Sequence, residues 1–572
     1  MIPLWFQERL ARPRVAAAVV VVGVSLCAPG LANGLALDDV LLAARYAEGG
    51  ATVGNLFGLF GGADPLVALA DQPWWRHDGM RLDLLRPLAA ATHLFDLRWF
   101  AAAPVWMHVH SLLWYGVLLA VAGNVYRRLV PGPHAWALGS LFYAVDHTHG
   151  MVVGWLASRS AILGAIGALL CLAAHDRWRS GGRGRDLGLA IVALLAALLA
   201  SEGAVGVVGY LAAYALCRER GAWLGRVASI VPAVVVVIGW RVCYVAAGHG
   251  AAHSGFYFDP GTDPLGFFVR GLVHATLLVG SAVFVPLGEG LGMVPGLYGP
   301  GAAVVVCLLA GVLMVVRDTL RRSSALRFWA VGALLCALPL GSTLPTDRQL
   351  LLVGFGVFGF VATLLAEPRE VPRSCLVRGL AWLWLGVHLV LSPLLVPLRA
   401  GASGQIHGLA EAATDAVVPG VATDRVMLVR VPSDLVMLYG RASRELDVRP
   451  FPGSLQYLYA GLDALTITRV DAQTLELRSA TGWLYAPLDR LYSDPIADPF
   501  EVGEQVVREG MVIEILAISG DGAPTRVRVR FDRPLDRLTW YTWEGRVPRA
   551  FGLPVIGESV VSAAQSNPML AL

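Results

Sequence analysis

Two adjacent carboxylates, Asp38 and Asp39, stand where the first long apolar run of this 572-residue chain ends, and no other long apolar run follows for about sixty residues. A carboxylate pair at the mouth of a membrane helix is costly near hydrocarbon unless it faces water, a partner or a substrate, so it marks a candidate functional site. The plainer alternative is that the two are simply the first residues in water. Neighbouring residues do not share a direction on a helix or an extended segment. The pair is therefore expected to divide its work, one carboxylate acting as a base and the other orienting it or holding a loop. Arg159 and Arg348, at the ends of apolar segments, carry the planar guanidinium that binds phosphate oxygens in pairs, unless they only snorkel to the interface. Arg86, before Pro87, joins them or anchors a loop. Glu202 interrupts an apolar hairpin, either as a cap or as a cavity-facing group. Asp146, His147 and His149 lie close enough in sequence to make a divalent cation one alternative; the other is a set of hydrogen-bonded structural groups beside a helix end.

The elements that must position these residues follow from composition. Hydrophobic residues make up 56% of the chain and charged residues only 15%, with mean hydropathy +0.61. That is too apolar for an ordinary soluble domain and too long for one core, so a polytopic membrane protein is expected. The net charge of +3 comes from arginine alone, since the sequence contains no lysine, and no basic tract suggests a nucleic-acid partner. Seven cysteines, the last being Cys375, show neither a disulfide framework nor metal-ligand spacing.

Helices that cross a membrane need about twenty mostly apolar residues, and arginines collect in the cytoplasmic loops. On that basis eleven spans are predicted, at 15–37, 104–126, 134–146, a fourth returning to the arginine cluster Arg177, Arg179, Arg183 and Arg185, 187–201, 203–217, 228–247, 300–316, 328–341, a tenth returning to the loop 367–378, and 379–398. The segment 265–286 would put Arg317, Arg321, Arg322 and Arg327 on the wrong side if it crossed. It is read as re-entrant or in-plane, which is tolerated where protein or a wet cavity covers the backbone.

This places a helical membrane module over 1–400, with a long first loop at 38–103, and a β-rich soluble domain over 401–572. Strands are predicted at 425–431, 465–470, 474–478, 511–518 and 525–531. In the last of these Val527, Val529 and Phe531 alternate with arginines, so the apolar residues face a core and the arginines face water. The loop, the C-terminal domain and the chemistry-bearing residues all fall on the extracytoplasmic side.

In family order, several of these residues resemble the C-type glycosyltransferases (GT-C), and within them the transmembrane O-mannosyltransferase branch whose members often carry TPR repeats. The acidic pair after the first helix is matched by Asp38-Asp39, and a Tyr-Arg-Pro-Leu motif by Leu85-Arg86-Pro87-Leu88. A histidine entering the second helix is matched by His108. His-Pro-x-His followed by Val-x-Trp-x-x-x-Arg is matched by Asp146-His147-Thr148-His149 and Val153 to Arg159, Lys-Glu by Ser201-Glu202, and an Arg-Tyr-Leu-Tyr-like step by Arg348-Gln349-Leu350-Leu351. The chain departs from the pattern at Asp146 and Ser201, lacks the Asn and His expected further along the second helix, and carries no TPR repeats.

The resemblance covers about the first 370 residues. It implies an integral membrane glycosyltransferase of a bacterial inner membrane. Such an enzyme moves a sugar from a polyprenyl-phosphate donor to a protein or glycan acceptor on the extracytoplasmic face. Asp38 and Asp39 would be catalytic, and Arg86, His108, His149, Arg159, Glu202 and Arg348 would bind substrate. The alternatives are a transporter or flippase of lipid-linked glycans, for which inverted repeats are expected and none is visible, and an inactive scaffold of the same fold.

Overall fold

The computed structural model describes residues 14–60, 73–132, 134–284, 296–366, 375–417, 425–447 and 454–566. The chain is mainly helical with a C-terminal β-rich region. Seven helical segments are long and apolar enough to cross a membrane: Pro104–Leu129, Leu156–Gly181, Trp223–Ala246, Pro264–Val283, Tyr298–Arg322, Asp347–Ala366 and Cys375–Val417. Four shorter apolar ones are Arg14–Leu26, Ala135–Ala144, Glu202–Cys217 and Ser324–Leu340. The chain is an integral membrane protein.

Two differences from the predicted helices matter for the site. The first apolar run, expected as one span over 15–37, is a helix only to Leu26 (α1, Arg14–Leu26) and then a tight turn over Ala28–Ala32. The loop expected after it is structured from its first residue. Asp38 and Asp39 begin an amphipathic helix (α2, Asp38–Ala47) that buries Val40, Leu41 and Leu42. Carboxylates in a first turn are favoured by the unpaired N–H groups and partial positive charge there.

The segment read as re-entrant is a continuous helix (α3, Pro264–Val283) that has the length and composition to cross. Its neighbour (α4, Tyr298–Arg322) runs in the same direction, because Tyr298 meets His274, Leu277 packs with Ala302, and Gly280 lies against Val305. Two consecutive helices running the same way count once, not twice, in an up-and-down tally. The link at 285–295 lies outside the described residues.

The C-terminal region contains a six-stranded antiparallel sheet and a four-stranded mixed sheet. All five predicted strand stretches are strands here, and Val527, Val529 and Phe531 are buried while Arg526 and Arg530 are exposed. In the smaller sheet β1 (Arg425–Leu428) and β2 (Ser454–Tyr457) are parallel. Parallel neighbours need a crossover connection, here a helix unseen in the sequence (α5, Asp434–Leu446) capped by Ser433. It packs on α2 and on α6 (Ala402–Val417), the helix that continues from the last apolar segment.

The first loop and the C-terminal region share one core. Trp74 and Trp75 are buried among the domain's residues, and the Trp74 and Trp483 indole N–H groups both donate to the Leu458 carbonyl, at 3.0 and 2.9 Å. Indoles buried this way fill large volumes and satisfy their one polar atom. A small sheet also ties the first loop to the 250–252 segment, since Arg81–Asp83 pairs with both Gly58–Phe60 and Gly250–Ala252.

Candidate active site

A cavity of about 390 Å³ opens where α2, the 201–205 hairpin tip, the segment 250–260 and the residues preceding and beginning helix Asp347–Ala366 converge. Its walls are largely apolar, including Val205, Trp240, Leu340 and Leu351. Six charged side chains line it: Asp38, Glu202, Asp259, Arg86, Arg241 and Arg348. Four of them are paired off, Arg86 with Glu202 at 2.8 Å and Arg241 with Asp259 at 2.5 Å. Asp38 and Arg348 remain, and among the described residues neither has an ion-pair partner within contact distance.

The backbone turns sharply into Asp38. Leu37 holds a left-handed φ of 57° while its side chain is buried, a conformation that costs a non-glycine residue on the order of 1–3 kcal/mol. It is held there by neighbours: the Leu37 N–H donates to His407 Nδ1 at 3.2 Å, and the Ala36 N–H to Asp39 Oδ2 at 3.1 Å. The other Asp39 oxygen accepts the Ala157 N–H at 2.7 Å. Asp39 is thus spent on joining two loops, and burial pushes its carboxyl up to about 7.

Asp38 faces the cavity. Its Oδ1 accepts the Tyr439 hydroxyl of α5 at 2.7 Å. Burial raises the Asp38 pKa above the ordinary carboxylate value, while the Tyr439 hydrogen bond and the charges of Arg348 and Arg86 act in the opposite direction. A carboxylate in this position is a better base than one in water. Arg348 lies over the Trp155 ring at 4.9 Å, an arrangement that fixes a cation without neutralising it. Glu202 leaves one oxygen, Oε1, buried and without a hydrogen-bond partner among the described residues.

Of the eight residues singled out from the sequence, the structure brings Asp38, Arg86, Glu202 and Arg348 into the cavity. It does not bring the other four. Asp39 is the loop-holding member of its pair. Arg159, expected to grip phosphate or snorkel, does neither: it is fully buried against Asp96 at 2.5 Å and donates to Ser111 and the Met107 carbonyl. His108 is buried and bonds the Gly34 carbonyl through Nε2 at 2.8 Å. His149 lies inside the helical bundle, its Nδ1 against the Tyr115 hydroxyl at 3.0 Å and its Nε2 4.0 Å from Asp146. Three ligand atoms of Asp146, His147 and His149 do not converge as a metal site would require; among the described residues such convergence occurs elsewhere.

Tyr439 and Tyr257, which also lines the cavity, were not legible as site residues. The α5 helix itself had a signal, a Ser433 cap followed by apolar residues at helical spacing, but nothing local says that it lies across α2.

No family model and no curated protein sequence matches the chain. Among solved structures, it is similar to an oligosaccharyltransferase of Archaeoglobus fulgidus tethered with an acceptor peptide containing the NVT sequon, at 11% identity and a TM-score of 0.36, over 79% of this chain and 64% of that one. It is also similar to ArnT from Cupriavidus metallidurans bound to undecaprenyl phosphate, at 11% identity and a TM-score of 0.36, over 90% of this chain and 97% of that one. The chain spans about 64% of the length of the oligosaccharyltransferase. Neither likeness is close enough to transfer a residue or a role.

Proposed function

We propose that this protein is a membrane glycosyltransferase of the C type that moves a sugar from a polyprenyl-phosphate carrier to a protein or glycan acceptor on the extracytoplasmic face. The observation that carries this reading is the pair of uncompensated charges, Asp38 and Arg348, facing one apolar-walled cavity. Transfer from a lipid-linked sugar needs a base for the acceptor proton and a cation for the leaving phosphate.

In this mechanism the acceptor hydroxyl gives its proton to Asp38 as its oxygen attacks the anomeric carbon of the sugar. The bond from that carbon to the phosphate oxygen breaks, and its electron pair leaves with the phosphate. Arg348 offsets the charge that develops there. Tyr439 holds the Asp38 carboxylate in place, and the Arg86–Glu202 pair fixes the neighbouring cavity wall. The apolar walls suit the lipid end of the donor.

The test is release of polyprenyl phosphate from a labelled polyprenyl-phosphate sugar by the purified full-length protein, with Asp38→Asn as control. Release that needs an acceptor and disappears in the variant supports the reading. Wild-type protein that neither releases lipid phosphate nor labels any acceptor, across mannose, glucose and aminosugar donors, counts against it.

A further inference from the structure

His77, His253 and Asp498 come from three separate parts of the chain and meet at the seam between the first loop and the C-terminal region. One ligand atom from each lies within 4.8 Å of the others, and no other group of this kind occurs among the described residues. We propose that these three side chains bind a zinc-like divalent transition ion, which clips the 250–260 segment to the C-terminal region.

The seam is already assembled by backbone contacts. The His77 N–H donates to the Tyr492 carbonyl at 3.0 Å, and the Gly255 N–H to that of Arg490 at 2.9 Å. Asp498 is anchored by its own N–H on the Asp494 carbonyl at 2.8 Å. Each ligand therefore projects from a fixed backbone.

His253 adds an independent sign. Its φ of 54° is left-handed, a conformation that is uncommon outside glycine and that the surroundings must enforce. The turn aims its ring at Asp498, with Nδ1 2.8 Å from Oδ2. A hydrogen bond to Asp498 needs only one imidazole, yet the His77 ring is stacked on that of His253, with centroids 3.8 Å apart and planes 10° apart. Two histidines and a carboxylate are the donor set of zinc and its neighbours; magnesium and calcium prefer oxygen alone.

Zinc bound at the usual 2.0–2.2 Å sets its ligand atoms about 3.4 Å apart, so the wider edges of the trio, within 4.8 Å, close by up to roughly an ångström while the His253–Asp498 edge opens from 2.8 Å. Rotation about the broad χ2 of histidine supplies that movement and fans the stacked rings. The ion takes the place of the proton shared by His253 and Asp498. On the His77 side, the ring proton moves to Nδ1, which gives up its contact from the exposed Gly79 N–H to water. Both His253 and Asp498 are partly exposed, at 39% and 35%, so an ion can reach them from solvent with a water completing its shell. Ala251, Tyr257 and Phe258 of the clipped segment wall the cavity described above, so the ion would stiffen that wall.

The test uses untagged full-length protein in detergent, stripped with a chelator and titrated with zinc ion alone by calorimetry. One zinc per chain is expected, with a rise in melting temperature. His77→Ala and Asp498→Asn should each weaken binding by about 100-fold or more, since losing even an outer partner of a metal ligand costs 10–100-fold. His253→Asn is the matched third variant because asparagine tolerates the left-handed backbone and removes only the ligand. Asp83 and His249 form a nearby pair, at 3.1 Å, that is not part of the trio. His249→Ala should leave zinc affinity unchanged. No stoichiometric binding, equal affinity in all three trio variants, or loss of binding in His249→Ala alone would overturn the assignment.

Discussion

Removing one oxygen atom, with Tyr439→Phe, should move the pH dependence of catalysis without abolishing it. The Tyr439 hydroxyl donates to Asp38 Oδ1 at 2.7 Å in a buried setting, and it favours the charged carboxylate. A hydrogen bond to a charged group contributes about 1.5–3 kcal/mol. At 1.36 kcal/mol per pKa unit, its loss corresponds to about one to two units. The sign follows from which form the bond stabilises. Without it, burial raises Asp38 further, so the base is protonated over a wider range. Because a general base works only when deprotonated, the acid limb of kcat/KM should shift to higher pH by about one to two units. Below the limb the variant should lag wild type by about 10–100-fold, and well above it the two should converge. The assay is transfer of labelled sugar across the pH range, with matched amounts of folded protein. An acid limb that stays in place, or a rate lowered equally at every pH, would refute Asp38 as the base that Tyr439 holds.

The two carboxylates should separate cleanly. Asp38→Asn should lower transfer by about 10²–10⁴ with the melting temperature kept, whereas Asp39→Asn should act on stability. The Asp39 carboxyl, pushed up to about 7, binds its proton more tightly folded than unfolded, so its contribution is full below about pH 4 and is lost as pH rises toward 7. Melting curves of Asp39→Asn should lack that dependence. Arg348→Ala should raise the donor KM by about ten- to hundredfold, the worth of a charge-assisted phosphate contact, with lysine restoring only part of it. Unchanged donor KM would remove Arg348 from the phosphate site. Arg159→Met should instead destabilise the fold, by up to about 3–5 kcal/mol, because buried Asp96 loses its arginine and keeps only His110 at 2.7 Å, seen as loss of folded protein and not as a donor-specific defect. For orientation, the exposed position Val507 suits cysteine labelling better than the fully buried Ser403; a Val507→Cys label that reacts only from the cytoplasmic side would overturn the extracytoplasmic placement.

The sequence alone determined what depends on local composition and period. Hydropathy marked the apolar helices because a bilayer needs long runs without charge. Alternation marked the strand ending in Phe531, because successive residues of a strand face opposite ways. It also supplied four residues that line the cavity, since charged groups at the ends of apolar helices have few places to go. Tertiary structure decided the rest, because those outcomes rest on contacts between distant residues. Asp38 and Asp39 are alike in sequence, and only the approach of Tyr439, 401 positions away, and of Ala157, 118 away, gives them different work. Arg159 and Arg348 are likewise both arginines at apolar helix ends. Asp96 packs against one, while an aromatic face and an open cavity await the other, and no local pattern records which arginine meets the carboxylate.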